Sequence, residues 1–317
     1  MSDVALDVPT SDGQAVLRCT LSFPAPGAAP ARALCLCLHG LNHTSEAFLP
    51  LLAHLSSLPL CCARLDLRGH GASQRLAPAA QPLDLSAARL LLDLEEVLAA
   101  AAARLGSGGG GAPALPVLLL GHSLGGALAA KLAPRLGAGC AGLVLLDFVE
   151  GTAVPAIPAA LAALAATPRA LASVDEAVAW ALGTGQMHSA AAARLALPLA
   201  LVQQQQQQGL GWRAEASGVL GALSEALLAE WFGGASAAFM ACRGLPRKLL
   251  LARLESLADR ELTVGHMQGR FQVEVLRESS HCLHMDQPLR AAQALLPFLE
   301  AAIAALPQHG GGGGGGR

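Results

Sequence analysis

The chain has 317 residues, 53% of them hydrophobic, and a formal net charge of −2. That length and apolar content suffice for one sizeable core, and the near-neutral balance argues against a polyanionic partner such as nucleic acid. Lys131 and Lys248 are the only lysines and tyrosine is absent, which with the alanine and glycine excess reads as genomic base composition more than function.

The amino-terminal MSDVALDVPTSDG carries acidic residues and no basic stretch ahead of an apolar core, so it does not read as a signal peptide. No run reaches the roughly 18–20 apolar residues that a membrane-spanning helix requires. Residues 14–23 predict an early strand, and 32–38, 60–66 and 115–121 predict strands that are nearly continuous in apolar residues. Loss of the polar alternation is expected of parallel strands covered on both faces. Helical patterns lie between them at 47–57 and 84–104; in the second, leucines recur every three or four residues, Ser86 or Asp84 is the cap, and the glycines of 106–111 end it. Such alternation predicts a doubly wound sheet.

Beyond Asp147 the pattern changes. Residues 152–235 read as helices and loops without a convincing strand, a candidate lid, and Gln203 to Gln208 form a low-complexity run within it. Strands resume at 247–252 and 271–276, an amphipathic helix covers 288–305, and a flexible glycine-rich tail follows over 307–317. Several of the eight cysteines fall in apolar strands; Cys35 and Cys37 alternate and share a face, where a free thiol behaves as a small hydrophobe. No His or Cys pair has zinc-ligand spacing, and a reduced, intracellular protein is expected.

Three elements carry chemistry. Gly121-His122-Ser123-Leu124-Gly125-Gly126 follows an apolar strand and opens an alanine-rich helix, the context of a nucleophile elbow in which Ser123 is the nucleophile. His39-Gly40 closes strand 32–38, where this fold places one oxyanion-hole amide; the donors are then the backbone N–H groups of Leu41 and Leu124, and His39 itself is structural. A base is needed within reach of the serine, and the loop after the last strand, RESSHCLHMDQP, offers His281 and His284, of which His281 comes first. His70 reads as loop architecture, and His43, His54, His188, His266 and His309 lack a motif. For the acid, Glu255 and Asp259 follow the penultimate strand and Asp147 ends an earlier one; all face the carboxyl edge of a parallel sheet. The expected architecture is an α/β-hydrolase fold over residues 1–306, a mostly parallel central sheet with helices on both faces and a helical lid insertion at about 152–235.

The segments LVLLDFVEGTAVPAI, DRELTVGHMQGRFQVEVL and SSHCLHMDQP, with GHSLGGALAAKLA, DLRGHG and EWFGGASAAFMAC, resemble the protein phosphatase methylesterase family from about residue 32 to 300. The resemblance implies a triad of Ser123, Asp147 and His281, because that family's acid follows the earlier strand. It implies demethylation of the carboxy-terminal leucine methyl ester of the type 2A protein phosphatase catalytic subunit, with no metal or organic cofactor. It also implies that Met267 lies near the phosphatase-binding surface; a methionine that merely fills a gap in the core is the alternative. Cytoplasm, with the nucleus as a second compartment, is the expected location. The chain departs from the family in having Leu41-Asn42-His43 where a glycine run is usual, a shorter lid, and Met285 in an acidic position, followed by Asp286. A small-molecule carboxylesterase or thioesterase, and a non-catalytic phosphatase-binding member of the fold, are the competing readings.

Overall fold

The amino-terminal strands Ser2–Pro9 (β1) and Ala15–Phe23 (β2) pair antiparallel. The computed structural model describes residues 2–25, 27–78, 81–106, 115–203, 209–212, 219–257 and 259–307. Ala33–Leu38 (β3), Leu60–Leu65 (β4), the two-residue Gln74–Arg75 (β5), Val117–His122 (β6) and Cys140–Leu146 (β7) follow along the chain. Leu201–Gln203 (β8) and Leu210–Trp212 (β9) form a separate ribbon, and Arg247–Leu251 (β10) and Gln272–Val275 (β11) return to the main sheet.

The sheet order is β1-β2-β4-β3-β6-β7-β10-β11, with β5 on β2; from β4 to β11 every neighbouring pair is parallel. Every residue of β3 and β4 is buried, as their nearly continuous apolar runs require, with Arg64 the one charged residue in β4. Cys35 and Cys37 do share a face, with sulfurs 3.9 Å apart.

Leu49–His54 (α1), Ala87–Gly106 (α2) and Leu124–Leu136 (α3) are the first helices. The first is shorter than the predicted 47–57, because residues 45–48 coil as a tighter 3-10 turn. At the second, Ser86 is the cap, its Oγ accepting the Arg89 amide at 3.2 Å, and Asp84 instead accepts the Ser86 amide at 2.9 Å. The glycines after Gly106, the glutamines after Gln203 and the tail from 308 lie outside the described residues.

Between β7 and β10 come Glu150–Ala153 (α4), Ile157–Ala165 (α5), Val174–Gly183 (α6), Ala190–Ala200 (α7), Glu225–Phe232 (α8) and Ala235–Ala241 (α9). The expectation of no strand in 152–235 is corrected by the β8–β9 ribbon, whose three-residue arms are too short to give an alternating pattern. Arg260–Met267 (α10), Leu283–Asp286 (α11) and Pro288–Ala304 (α12) complete the chain. One face of the sheet packs on α2, α3, α8 and α9, and the other on α1 and α12. A third apolar cluster joins α6, α7 and the ribbon to Cys282 and Met285, beside the expected catalytic histidine. No helix among the described residues is long and apolar enough to cross a membrane.

Candidate active site

Parallel strands deliver their following loops to one edge of the sheet, and the chemistry-bearing residues lie there. Ser123 stands between β6 and α3 with φ 51°, a conformation held by its amide, which donates to Leu146 O at 3.1 Å. The turn leaves no room beside it: a Cβ on Gly125 would lie 2.1 Å from Leu38 O. The helix that follows starts at Leu124, so its unpaired amino-terminal amides open beneath the serine.

Asp147 directly follows β7, also at positive φ (46°). Its Oδ2 lies 2.7 Å from His281 Nδ1, and its Oδ1 accepts the Ala252 amide at 2.8 Å. The carboxylate is 12% exposed and the imidazole 52%. The two other carboxylates weighed from the sequence are placed elsewhere. Asp259 caps α10, accepting the amides of Glu261 and Leu262, and Glu255 lies exposed in the 3-10 turn after β10.

Ser123 and His281 line one cavity of about 170 Å³, together with Leu41, Asn42, His43 and His122 from the sheet edge and Leu164, Thr167 and Trp180 from the inserted segment. Among the described residues no hydrogen bond joins Ser123 Oγ to His281, so histidine and acid are paired while the serine faces them across the cavity. Leu41 belongs to this wall, next to Gly40, whose Cβ would come within 3.1 Å of Ser123 Cβ.

The remaining histidines divide clearly. His39 is fully buried; its Nε2 accepts the Leu67 amide at 3.0 Å and its Nδ1–H donates to Gly40 O at 2.8 Å, so it braces the oxyanion loop as a neutral ring. His70 is buried with Nδ1 3.1 Å from Arg68 O. Burial, then neighbouring imidazoles, hold His39, His122 and His284 well below the ordinary histidine range. His284 packs between Phe48 and His122, with ring centroids 5.1 and 4.5 Å away.

His43, which no motif singles out, is on the cavity wall, its Nε2 3.6 Å from Cys282 Sγ and its pKa lowered by burial to about 4. Asp286, visible in the sequence only as a departure, is a hub: Oδ1 accepts the amides of His188 (3.1 Å) and Ser189 (2.9 Å), and Oδ2 that of Ser280 (3.1 Å). It ties the start of α7 to the residue before His281. Met267 ends α10 and is 81% exposed, which overturns the reading of it as a core gap-filler. Leu254 and Val264 add exposed apolar surface from the turn after β10 and from the same helix.

Comparison with known proteins accords with this geometry. The alpha/beta hydrolase family model matches residues 35–294. The crystal structure of E-2-(acetamidomethylene)succinate hydrolase superposes with a TM-score of 0.67 at 18% identity, over 94% of this chain and 100% of that one, a likeness of fold. The chain thus belongs to the alpha/beta hydrolases. Protein phosphatase methylesterase 1 of Mus musculus is 30% identical over 306 residues, spanning 83% of this chain and 75% of that protein. Probable protein phosphatase methylesterase 1 of Caenorhabditis elegans is 30% identical over 258 residues, spanning 80% and 65%. Within the hydrolases this chain belongs to the protein phosphatase methylesterase family and is a carboxylic ester hydrolase.

Proposed function

We propose that the chain removes the methyl ester from the carboxy-terminal leucine of the type 2A protein phosphatase catalytic subunit, through an acyl-enzyme on Ser123. The observation that carries the reading is the 2.7 Å pairing of His281 with Asp147 on the wall of the cavity that holds Ser123. His281 takes the Ser123 proton through Nε2 as the hydroxyl attacks the ester carbonyl. Asp147 holds the proton on Nδ1 and stabilises the imidazolium that forms. The amides of Leu124 and Leu41 bind the oxyanion; the imidazolium protonates departing methoxide to methanol, and water then attacks the acyl-enzyme by the same route. The serine–histidine hydrogen bond forms with substrate in place, as catalytic hydrogen bonds tighten in the Michaelis complex.

In this reading the helices of 152–235 are a lid over the ester, residues 1–306 form the catalytic domain with 307–317 a tail, and the exposed Met267 faces the phosphatase. The reaction takes place in the cytoplasm or nucleus and requires no cofactor. The test is loss of methyl from carboxymethylated phosphatase catalytic subunit, with Ser123→Ala and Asp147→Asn alongside. Demethylation by the wild type and by neither variant supports the reading. Turnover of small esters without demethylation would move the substrate to a small molecule.

A further inference from the structure

Besides Asp147, the side chain of His122 touches the catalytic base, and it sits one residue before the nucleophile. His122 ends β6; its Nε2 lies 3.0 Å from the main-chain carbonyl of His281, and the two rings stand 4.8 Å apart at 46°. The partner is a carbonyl, so Nε2 carries the hydrogen and donates it. Behind the ring are His284 at 4.5 Å and His43, edge-on, at 5.7 Å. Nδ1 is buried without a hydrogen-bond partner among the described residues, and a Cβ on Gly40 would approach it to 2.8 Å. The ring is thus wedged between the oxyanion loop and the base, with one tautomer and one orientation. His281 is half exposed on a loop, and its tie to Asp147 fixes the imidazole's azimuth, whereas the height of its main chain is set by what holds its backbone, the His281 carbonyl included.

We infer that His122 is a positioning residue for ester hydrolysis: its Nε2–H, donated to the His281 carbonyl, sets how far the base stands from the Ser123 hydroxyl. Two residues adjacent in the chain then do complementary work, one attacking the ester and the other holding the group that activates it. Displacing a catalytic group by about 1 Å costs on the order of a hundredfold in rate, so loss of this bond falls on kcat.

The inference rests on the serine-hydrolase reading of the site and not on the phosphatase as substrate, so it is tested with p-nitrophenyl acetate. His122→Phe keeps a ring and removes the donor; His122→Gln places an amide N–H near the Nε2 position; His122→Asn is too short to reach the carbonyl. The expected result is a fall in kcat of about 30- to 100-fold for Phe and Asn, KM within about twofold, and recovery to within about fivefold by Gln. A merely packing role predicts the opposite order, with Phe the best tolerated. Phe as active as the wild type, or Gln no better than Asn, would overturn the inference. Should Phe fail to fold, the Gln and Asn pair decides alone. Ester turnover surviving Ser123→Ala would instead remove the serine reading on which all of this stands.

Discussion

The amide of Ala252 donates to Asp147 Oδ1 at 2.8 Å, and this bond orients the carboxylate that holds His281. Asp147 is therefore committed on both sides: β10 supplies the N–H that fixes one oxygen, and the other faces the base.

For Asp147→Asn, Ala252 still demands an oxygen, so the amide NH₂ turns towards His281. It then donates to Nδ1 and drives the histidine proton to Nε2, the wrong tautomer for a base. The expected loss in kcat is on the order of 10³- to 10⁴-fold with the fold intact. Steady-state ester hydrolysis beside a thermal melt checks this; an active Asp147→Asn would overturn the assignment of Asp147 as the acid.

Asp286→Ala strips the acceptor from the amides of His188, Ser189 and Ser280. Three N–H groups losing one acceptor should destabilise the protein by about 3 kcal/mol or more. They span the start of α7 and the base loop, so kcat should fall and proteolytic nicking near residue 188 should rise. A melting temperature within about 1 °C of the wild type would contradict this account of Asp286.

Gly40→Ala places a methyl group 2.8 Å from His122 Nδ1 and 3.1 Å from Ser123 Cβ. Neither neighbour can retreat without moving the oxyanion loop or the base. The predicted effect is a loss of roughly a hundredfold or more in kcat, comparable to removal of an oxyanion donor. Fluorophosphonate labelling of Ser123 should slow in parallel, and labelling at the wild-type rate would speak against a crowded loop.

Acid should unfold the protein from a mildly acidic pH. Burial lowers the pKa of His39, His43, His70, His122 and His284 in the folded state, His43 to about 4. The unfolded chain binds protons at its ordinary histidine pKa of about 6.5, so it holds more protons than the folded chain below that pH. Stability is thus full above about 6.5 and falls as the pH drops towards the folded values. Calorimetry at pH 5 should record a net uptake of protons on unfolding; uptake near zero would mean the rings are charged in the fold.

Met267→Glu introduces a charge on an exposed apolar surface at the end of α10. With the phosphatase bound there, KM for the methylated catalytic subunit should rise about tenfold or more, against little change in KM for a small ester. Equal KM values on the phosphatase would take Met267 out of the interface.

The parallel strands were legible because burial on both faces erases polar alternation, and the elbow because strand, glycine turn and helix occur in order. The edge strand β1 was not, since its mostly exposed residues are held by pairing to β2 and by ion pairs such as Asp7 with Arg18. Residue order could not choose among Asp147, Glu255 and Asp259, because all three follow strands that end at the same edge; the choice lies in which carboxylate meets His281. His122 and Asp286 act on the base loop from up to 159 positions away in the chain or through backbone amides, and neither kind of contact leaves a pattern in the sequence.

Asn42, Ser123 and Asp147 all hold positive φ without being glycine, and all three gather at the mouth of the site. Each such residue costs on the order of 1–3 kcal/mol that the surrounding sheet must supply. Endurance and turnover are consequently opposed in this molecule. Ser123→Gly, inert as a catalyst, should outlast its active parent on heating, and a lineage selected for heat resistance alone would drift towards losing its nucleophile.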